Sequence, residues 1–317
     1  MEKKKKILVG GQAVIEGVMM RAPGAYSTAV RRENGEIEVE RHEFTSILER
    51  RKKLNIPVLR GMIALFEMMK IGFATLQWSA DKNMEDLEPD KENKAPGKLA
   101  KAGTLLFALS LGLGIFFILP LFLTTKFFNV EKEAMEFNLV SGSIRITLFL
   151  VYIGLISLVS DIKRLFMYHG AEHKMIFAFE AGCELLPSEA MPFTRFHPRC
   201  GTSFLLIVMI VSIIVFGIID TVLLGYIGRI NLGMRLLTHL PFIPFVAGVG
   251  FEAIKLSGKY GSTKIGRIII APGLWLQRLT TKEPDESQLE VAAAALKSAL
   301  GDKYDEFVGN KFEADAV

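Results

Sequence analysis

Cysteine and tryptophan are nearly missing from this chain, with two of each in 317 residues. Two cysteines, Cys183 and Cys200, cannot build a disulfide framework, and on the cytoplasmic side of a membrane they stay reduced, so a metal-ligand role is the open one. No secretory leader is expected: "MEKKKK" is basic, but the apolar stretch after it is too short and too broken by glycine for a signal sequence. The first hundred residues are therefore expected on the cytoplasmic side. No basic stripe with interleaved aromatics accompanies the formal net charge of +4, so no nucleic-acid partner is expected. No internal repeat is found.

Charge is scarce where it is most telling. Half the residues are hydrophobic and the mean hydropathy is +0.33, and the surplus is concentrated in four nearly uncharged runs, 102–123, 144–160, 203–225 and 237–256. Each approaches the roughly 20 residues that cross about 30 Å of hydrocarbon. Four transmembrane helices are expected; the second is the shortest and the fourth contains Pro241 and Pro244, so either is also readable as a buried or re-entrant segment. Lysine and arginine crowd the segments on one side of these runs, which predicts both termini inside a bacterial cytoplasmic membrane, with the lipid bilayer as partner.

The fold class implied is an α-helical integral membrane protein with a small β-rich cytoplasmic module at the N-terminus and an amphipathic helical tail at the C-terminus. The module is expected over 1–56, with a type I′ hairpin at Asn34-Gly35. Within it Glu16 and Arg21 bracket an apolar run, "GVMM", and read either as functional residues or as a surface ion pair. A helix over 57–80 reads as interfacial or buried, 81–101 as a polar linker, and 102–256 as the membrane domain. Residues 257–317 read as an interfacial stretch broken at Pro272-Gly273, followed by a capped, exposed helix.

What is present in quantity at one place is metal-binding chemistry. In "YHGAEHKMIFAFE" a helix puts His169 and His173 one turn apart on one face, which offers two imidazoles to a single ion, with Glu172 on the adjoining edge. The spacing H-x-x-E-H is that of zinc enzymes whose glutamate is the general base. "FHPRCGTSFLL" adds His197 and Cys200 in a His-x-x-Cys spacing at the other end of the 161–202 loop, so both ends meet one membrane face. If all four donors bind, the site is closed and structural; if three bind, Glu172 can act on water. Glu252, one turn inside the fourth run, is a further ligand or an acceptor for a histidine N–H, against the alternative of a carboxylate reaching the interface. Glu180 is a spare third ligand or a solvated position. Asp220 reads as a packing or helix-end residue.

The segments "GGQAVIEGVMMRAP", "YHGAEHKMIFAFE", "FHPRCGTSFLL" and "APGLWLQRLTTKEPDESQLEVAAAAL", in this order over almost the whole chain, resemble the YqhQ family, domain of unknown function 1385. The resemblance implies a metal-dependent enzyme and supplies no substrate. Two functions compete. One is a membrane-integral hydrolase with a divalent metal, zinc first, acting at the cytoplasmic interface on a lipid-linked or membrane-proximal substrate. The other is a non-enzymatic scaffold or assembly factor held by a structural His3Cys zinc site. Transport is the weakest reading, because only Asp220 and Glu252 interrupt the runs.

Overall fold

The structure, a computed structural model, describes residues 6–7, 9–87, 97–259, 263–310 and 312–314. At the N-terminus β1 (Lys6–Ile7) is followed by β2 (Gly10–Val14), β3 (Gly17–Ala22), β4 (Ala25–Arg31) and β5 (Ile37–Glu43). The last four form an antiparallel meander in that order, while β1 pairs in parallel with β6 (Glu313–Ala314) at the other end of the chain. The β4–β5 hairpin turns at Asn34-Gly35, but not as a two-residue type I′ turn. Only Gly35 of the pair has positive φ, 87°, and its N–H donates to the Arg32 carbonyl at 2.9 Å. This is the three-residue loop that ends on a left-handed glycine.

The long helices among the described residues are α1 (Leu59–Leu87), α2 (Leu99–Phe127), α3 (Ala134–Ile156), α4 (Ser160–Ala181), α5 (Gly201–Ile227), α6 (Leu232–Lys259), α7 (Lys264–Thr280) and α8 (Glu286–Leu300). Among the described residues four helices are long and apolar enough to cross a membrane: α2, α3, α5 and the part of α6 from Leu232 to Leu256. The second begins ten residues earlier than its expected start at 144. Glu136, Asn138 and Arg145 lower the hydropathy of its first half, yet Asn138 and Arg145 are buried against neighbouring helices and exposed to neither water nor lipid. Arg145 donates to the Phe116 carbonyl at 2.9 Å and to Ser212 Oγ at 2.8 Å; that carbonyl lies in a π-helical stretch of α2, Gly114–Ile118. Despite Pro241 and Pro244, α6 is one uninterrupted helix, and α7 continues through Pro272-Gly273 where a break was expected.

A buried polar cluster ties α3, α5 and α6 together. Asp220 accepts from Asn138 Nδ2 at 2.8 Å and contacts His239 Nε2 at 2.9 Å, with the Arg235 guanidinium 3.2 Å away. The packing role expected of Asp220 fits; Arg235 and His239 carry no sequence pattern that would have singled them out.

The sheet is not an appendage. α8 begins at a capping box formed by Asp285 and Gln288, as its sequence suggests, but it is not exposed. Its Leu289, Val291, Ala292, Ala295, Leu296 and Ala299 pack with Val18, Met20 and Ala29 of the sheet and with Tyr168, Ala171 and Met175 of α4. Alanine at these positions lets helix, helix and sheet approach closely. One hydrophobic core is thus built from the first and last thirds of the chain around α4.

α1 covers the other side of the sheet and continues to Leu87, through the charged start of the expected linker, because Arg32 of the hairpin loop holds Asp86 at 2.8 Å and Glu85 at 3.2 Å. Residues 88–96 of that linker lie outside the described residues. At its start α1 presses on α6: a Cβ added to Gly61 would stand 2.6 Å from Phe251 Cβ, and one on Gly248 would stand 2.5 Å from the Val58 carbonyl. Gly61→Leu should therefore force α1 off α6 and destabilise the protein by about 1–3 kcal/mol. Thermal unfolding of the purified protein measures this, with Gly103→Leu as the silent control, since nothing lies within 4 Å of a Cβ there.

Candidate metal centre

The expected 161–202 loop is helical for its first half, as α4, and α4 presents two stripes. Arg164, Tyr168 and Glu172 recur every fourth residue and face the β2–β3 hairpin; His169 and His173 face the start of α5. α4 stops at Gly182, φ 77°, with Cys183 N–H donating to the Ala178 carbonyl at 3.0 Å. The chain then returns to Cys200, the N-cap residue of α5.

His169, His173 and Cys200 each place one donor atom within 4.8 Å of the other two. The imidazoles are set by backbone. His169 Nδ1 is 2.7 Å from the Thr280 carbonyl and His173 Nδ1 is 2.5 Å from the Arg195 carbonyl. A carbonyl can only accept, so each Nδ1 carries a proton and Nε2 is the nitrogen left to turn toward Cys200. His169 Nε2 is 3.2 Å from Cys200 Sγ. The Thr280 carbonyl reaches His169 because the chain after α7 crosses α4 over Gly170, where a Cβ would sit 2.1 Å from the Lys282 carbonyl. The glycine of "YHGAEH" is thus what permits the outer hydrogen bond.

Burial and charge act against each other here. Burial alone would raise the Cys200 thiol, but His169 and His173 beside it hold it well below the usual range. Burial alone would lower His169, and the neighbouring thiolate outweighs it and raises the imidazole to about 9. The thiolate is the form that ligates metal.

Glu172 is buried, and burial raises its carboxyl above the ordinary value, opposed by His169 and His173. The backbone N–H of Gly11 in β2 donates to it. A Cβ on Gly11 would stand 3.0 Å from Glu172 Cγ, so the second glycine of "GGQAVIEG" is what lets the strand lie on the carboxylate. Glu16, the turn residue of the same hairpin, has φ 52°, an uncommon conformation for a residue with a side chain. Its carboxylate accepts from Arg164 at 2.6 Å and from Tyr168 Oη at 3.3 Å, clamping the hairpin along α4. Arg21 lies elsewhere, over the Phe44 ring at 4.7 Å and 3.3 Å from Met68 Sδ.

The remaining candidates are placed beside the cluster or away from it. His197 is buried next to His173, ring centroids 5.5 Å apart, but it is not among the three converging donors. Its backbone is fixed by Gln277, which accepts from His197 N–H at 2.7 Å and donates to its carbonyl at 2.7 Å, and burial lowers its imidazole to about 4. Glu180 pairs with Arg199 and lies 3.7 Å from His197 Nε2. Glu252 stands away from the cluster, with Arg60 of α1 donating from Nε at 2.7 Å and the Val58 N–H at 3.3 Å. It joins α1 to α6. Thr280, Arg195 and Gln277 shape the site through backbone or amide contacts that no spacing rule in the sequence could expose.

Two comparisons bear on this arrangement. The family model described as "Protein of unknown function (DUF1385)" matches residues 56–302. The uncharacterised protein YqhQ of Bacillus subtilis (strain 168) is 33% identical over 308 residues, covering 92% of each chain. No solved structure matches.

Proposed function

The chain belongs to the DUF1385 family, and from that membership and the geometry around α4 we propose a membrane-integral, metal-dependent hydrolase working at the cytoplasmic face of a bacterial membrane, with both termini cytoplasmic. His169, His173 and Cys200 hold a divalent cation, zinc first, and Glu172 is the general base. The observation that carries the reading is the convergence of three donors in which both histidines have their far nitrogen tied to a backbone carbonyl. Two imidazoles and a thiolate form a donor set suited to zinc, and the fixed Nδ1–H is the outer contact that zinc-binding histidines habitually make.

Three protein donors leave a fourth position. A cation held there supplies Lewis acidity toward a carbonyl or phosphoryl oxygen and toward water. Glu172, one residue before His173, takes the proton from the attacking water and returns it to the leaving group, and burial makes its carboxylate more basic than an exposed one. Gly11 N–H holds the carboxylate in place, which assigns the N-terminal module a part in the site. The scaffold reading needs four donors, and the His197 ring faces Glu180 instead and accepts at Nδ1 from the Arg199 N–H at 3.3 Å.

A second reading has one observation in its favour. Cys200 Sγ at 3.2 Å from His169 Nε2, with Nδ1 on a carbonyl, is also the order of nucleophile, base and orienting group found in thiol hydrolases. Metal content separates the two. The purified protein should carry about one zinc per chain, as a single three-donor site demands. His169→Ala and His173→Ala should each lower that content. A folded, monodisperse protein that binds no divalent metal would end the metal reading.

A further inference from the structure

Lys174, next in the chain to His173, is a lysine kept out of water. The residue is 3% exposed, and an ammonium is almost never buried unless it is paired. It has two partners. Nζ donates to the Met191 carbonyl at 2.7 Å, and it forms an ion pair with the Glu283 carboxylate. The Glu283 side chain is itself 61% exposed, so the pair has one end in the protein and the other in solvent.

Those two partners belong to the two backbone segments that hold the imidazoles. Met191 stands four residues before Arg195, whose carbonyl meets His173 Nδ1 at 2.5 Å; Glu283 stands three residues after Thr280, whose carbonyl meets His169 Nδ1 at 2.7 Å. The segments reach α4 separately, the first on the way from α4 to α5 and the second on the way from α7 to α8. Glu283 also joins them directly, its second oxygen 3.8 Å from Arg195 Nη1. The contacts therefore close a ring: His173 to the Arg195 carbonyl, the Arg195 guanidinium to Glu283, and Glu283 back to Lys174 beside His173.

Each segment has its own hold on the core. Ala190, Met191 and Phe193 pack against the buried side chains of α4 and α8, and Lys282 N–H donates to the Phe166 carbonyl at 2.8 Å. Apolar packing is not directional, whereas a ligand set has to be held to within about 0.5 Å. An ammonium that binds an acceptor on each segment supplies the missing direction, because it fixes one segment against the other.

We propose that Lys174 is the positioning residue of the two imidazoles: its ammonium locks the 191–195 segment to the 280–283 strap and so fixes the two carbonyls that aim His169 and His173 toward Cys200. That the aimed nitrogens bind a metal rests on the reading above; the aiming does not.

Lys174→Met suits the test. Methionine keeps the apolar stem, and the Glu283 carboxylate it abandons is already in water, so no unpaired charge is left buried. The full chain, with 15N in its histidine rings, is purified in detergent, and three quantities are read: the ring N–H signals of the metal-free protein, assigned by their loss in His169→Ala and His173→Ala; zinc affinity by chelator competition; and the unfolding midpoint. Wild type should show both Nδ1 protons in slow exchange, since each is bonded to a carbonyl. Lys174→Met should broaden both signals by exchange and lower zinc affinity by about tenfold, the lower end of what loss of an outer contact costs, with the midpoint close to that of wild type. Lys174→Arg, which keeps the charge and several donors, should recover most of the affinity. Glu283→Gln should shift both readouts in the same direction by less. Glu290→Gln, which removes an ion pair of α8 with Arg31 at 2.6 Å, should match wild type throughout. Intact ring protons together with zinc affinity within twofold of wild type in Lys174→Met would overturn the proposal; if that variant does not fold, the same result in Glu283→Gln would. A wild type that binds no zinc would remove the metal reading, and the ring protons would still decide the role of Lys174.

Discussion

Glu172→Gln should leave a folded, zinc-loaded protein whose function falls by about 100-fold or more. Glutamine keeps the size of the side chain and can still accept the hydrogen bond from Gly11 N–H, so the packing of β2 on α4 survives the change. What it cannot do is take a proton. Removing a buried carboxyl should also cost the fold little, because burial opposes its charge in the folded protein. The measurement is complementation of a strain lacking the gene, with protein level and metal content read in parallel. Full complementation by an abundant, metal-loaded Glu172→Gln protein would deprive the hydrolase of its base, and the scaffold reading would replace it. In a thiol hydrolase the same variant would also be tolerated, but Cys200→Ser would then abolish function in a protein indifferent to chelators.

The second large effect is expected at Cys200 itself. Cys200→Ser exchanges a thiolate, held below its usual range by two imidazoles, for a hydroxyl that does not ionise. Loss of an outer hydrogen-bond partner of a zinc ligand typically costs 10–100-fold in affinity; loss of the anionic ligand should exceed that. A competition titration against a chromogenic chelator reads it directly. Glu180→Gln and Glu252→Gln provide the contrast, because Glu180 engages Arg199 and Glu252 engages Arg60. Both should stay within a few-fold of wild type. A Cys200→Ser protein of unchanged zinc affinity would remove the thiolate from the ligand set.

The parts of this molecule legible in sequence are those set by periodicity and by scarce residue types. The four apolar helices and the hairpin at Asn34-Gly35 follow from local patterns, and the pairing of His169 with His173 follows from helical spacing. Cys200 could be joined to them because loop ends at one membrane face must be near each other. Other positions take their partners from far along the chain. Depth puts Glu252 level with the cluster but does not say which way its side chain points; Arg60, nearly two hundred residues earlier, pairs with it. His197 has the right spacing to Cys200, but Gln277 of α7 fixes its backbone, and nothing local announces that contact. α8 looked exposed because an alanine-rich helix has a weak apolar stripe, yet small side chains are what a three-way helix–sheet contact requires.

The core that joins β2–β5 to α8 also sets a timetable. Its sheet half is made before the first apolar helix and its helical half after the last, with about 240 residues between Glu43 and Glu286, so a ribosome adding roughly 5–20 residues per second needs on the order of 10–50 s to supply the missing partner. Through that interval Val18, Met20 and Ala29 have no α8 to cover them. α4 emerges in the meantime, and its histidines can meet Cys200 only after the turn into α5 has been made. The N-terminal sheet is therefore a waiting client of the translation machinery. Chains stalled or truncated before Glu286 would expose its uncovered face, which makes the last helix a checkpoint on whether a newly made copy is complete.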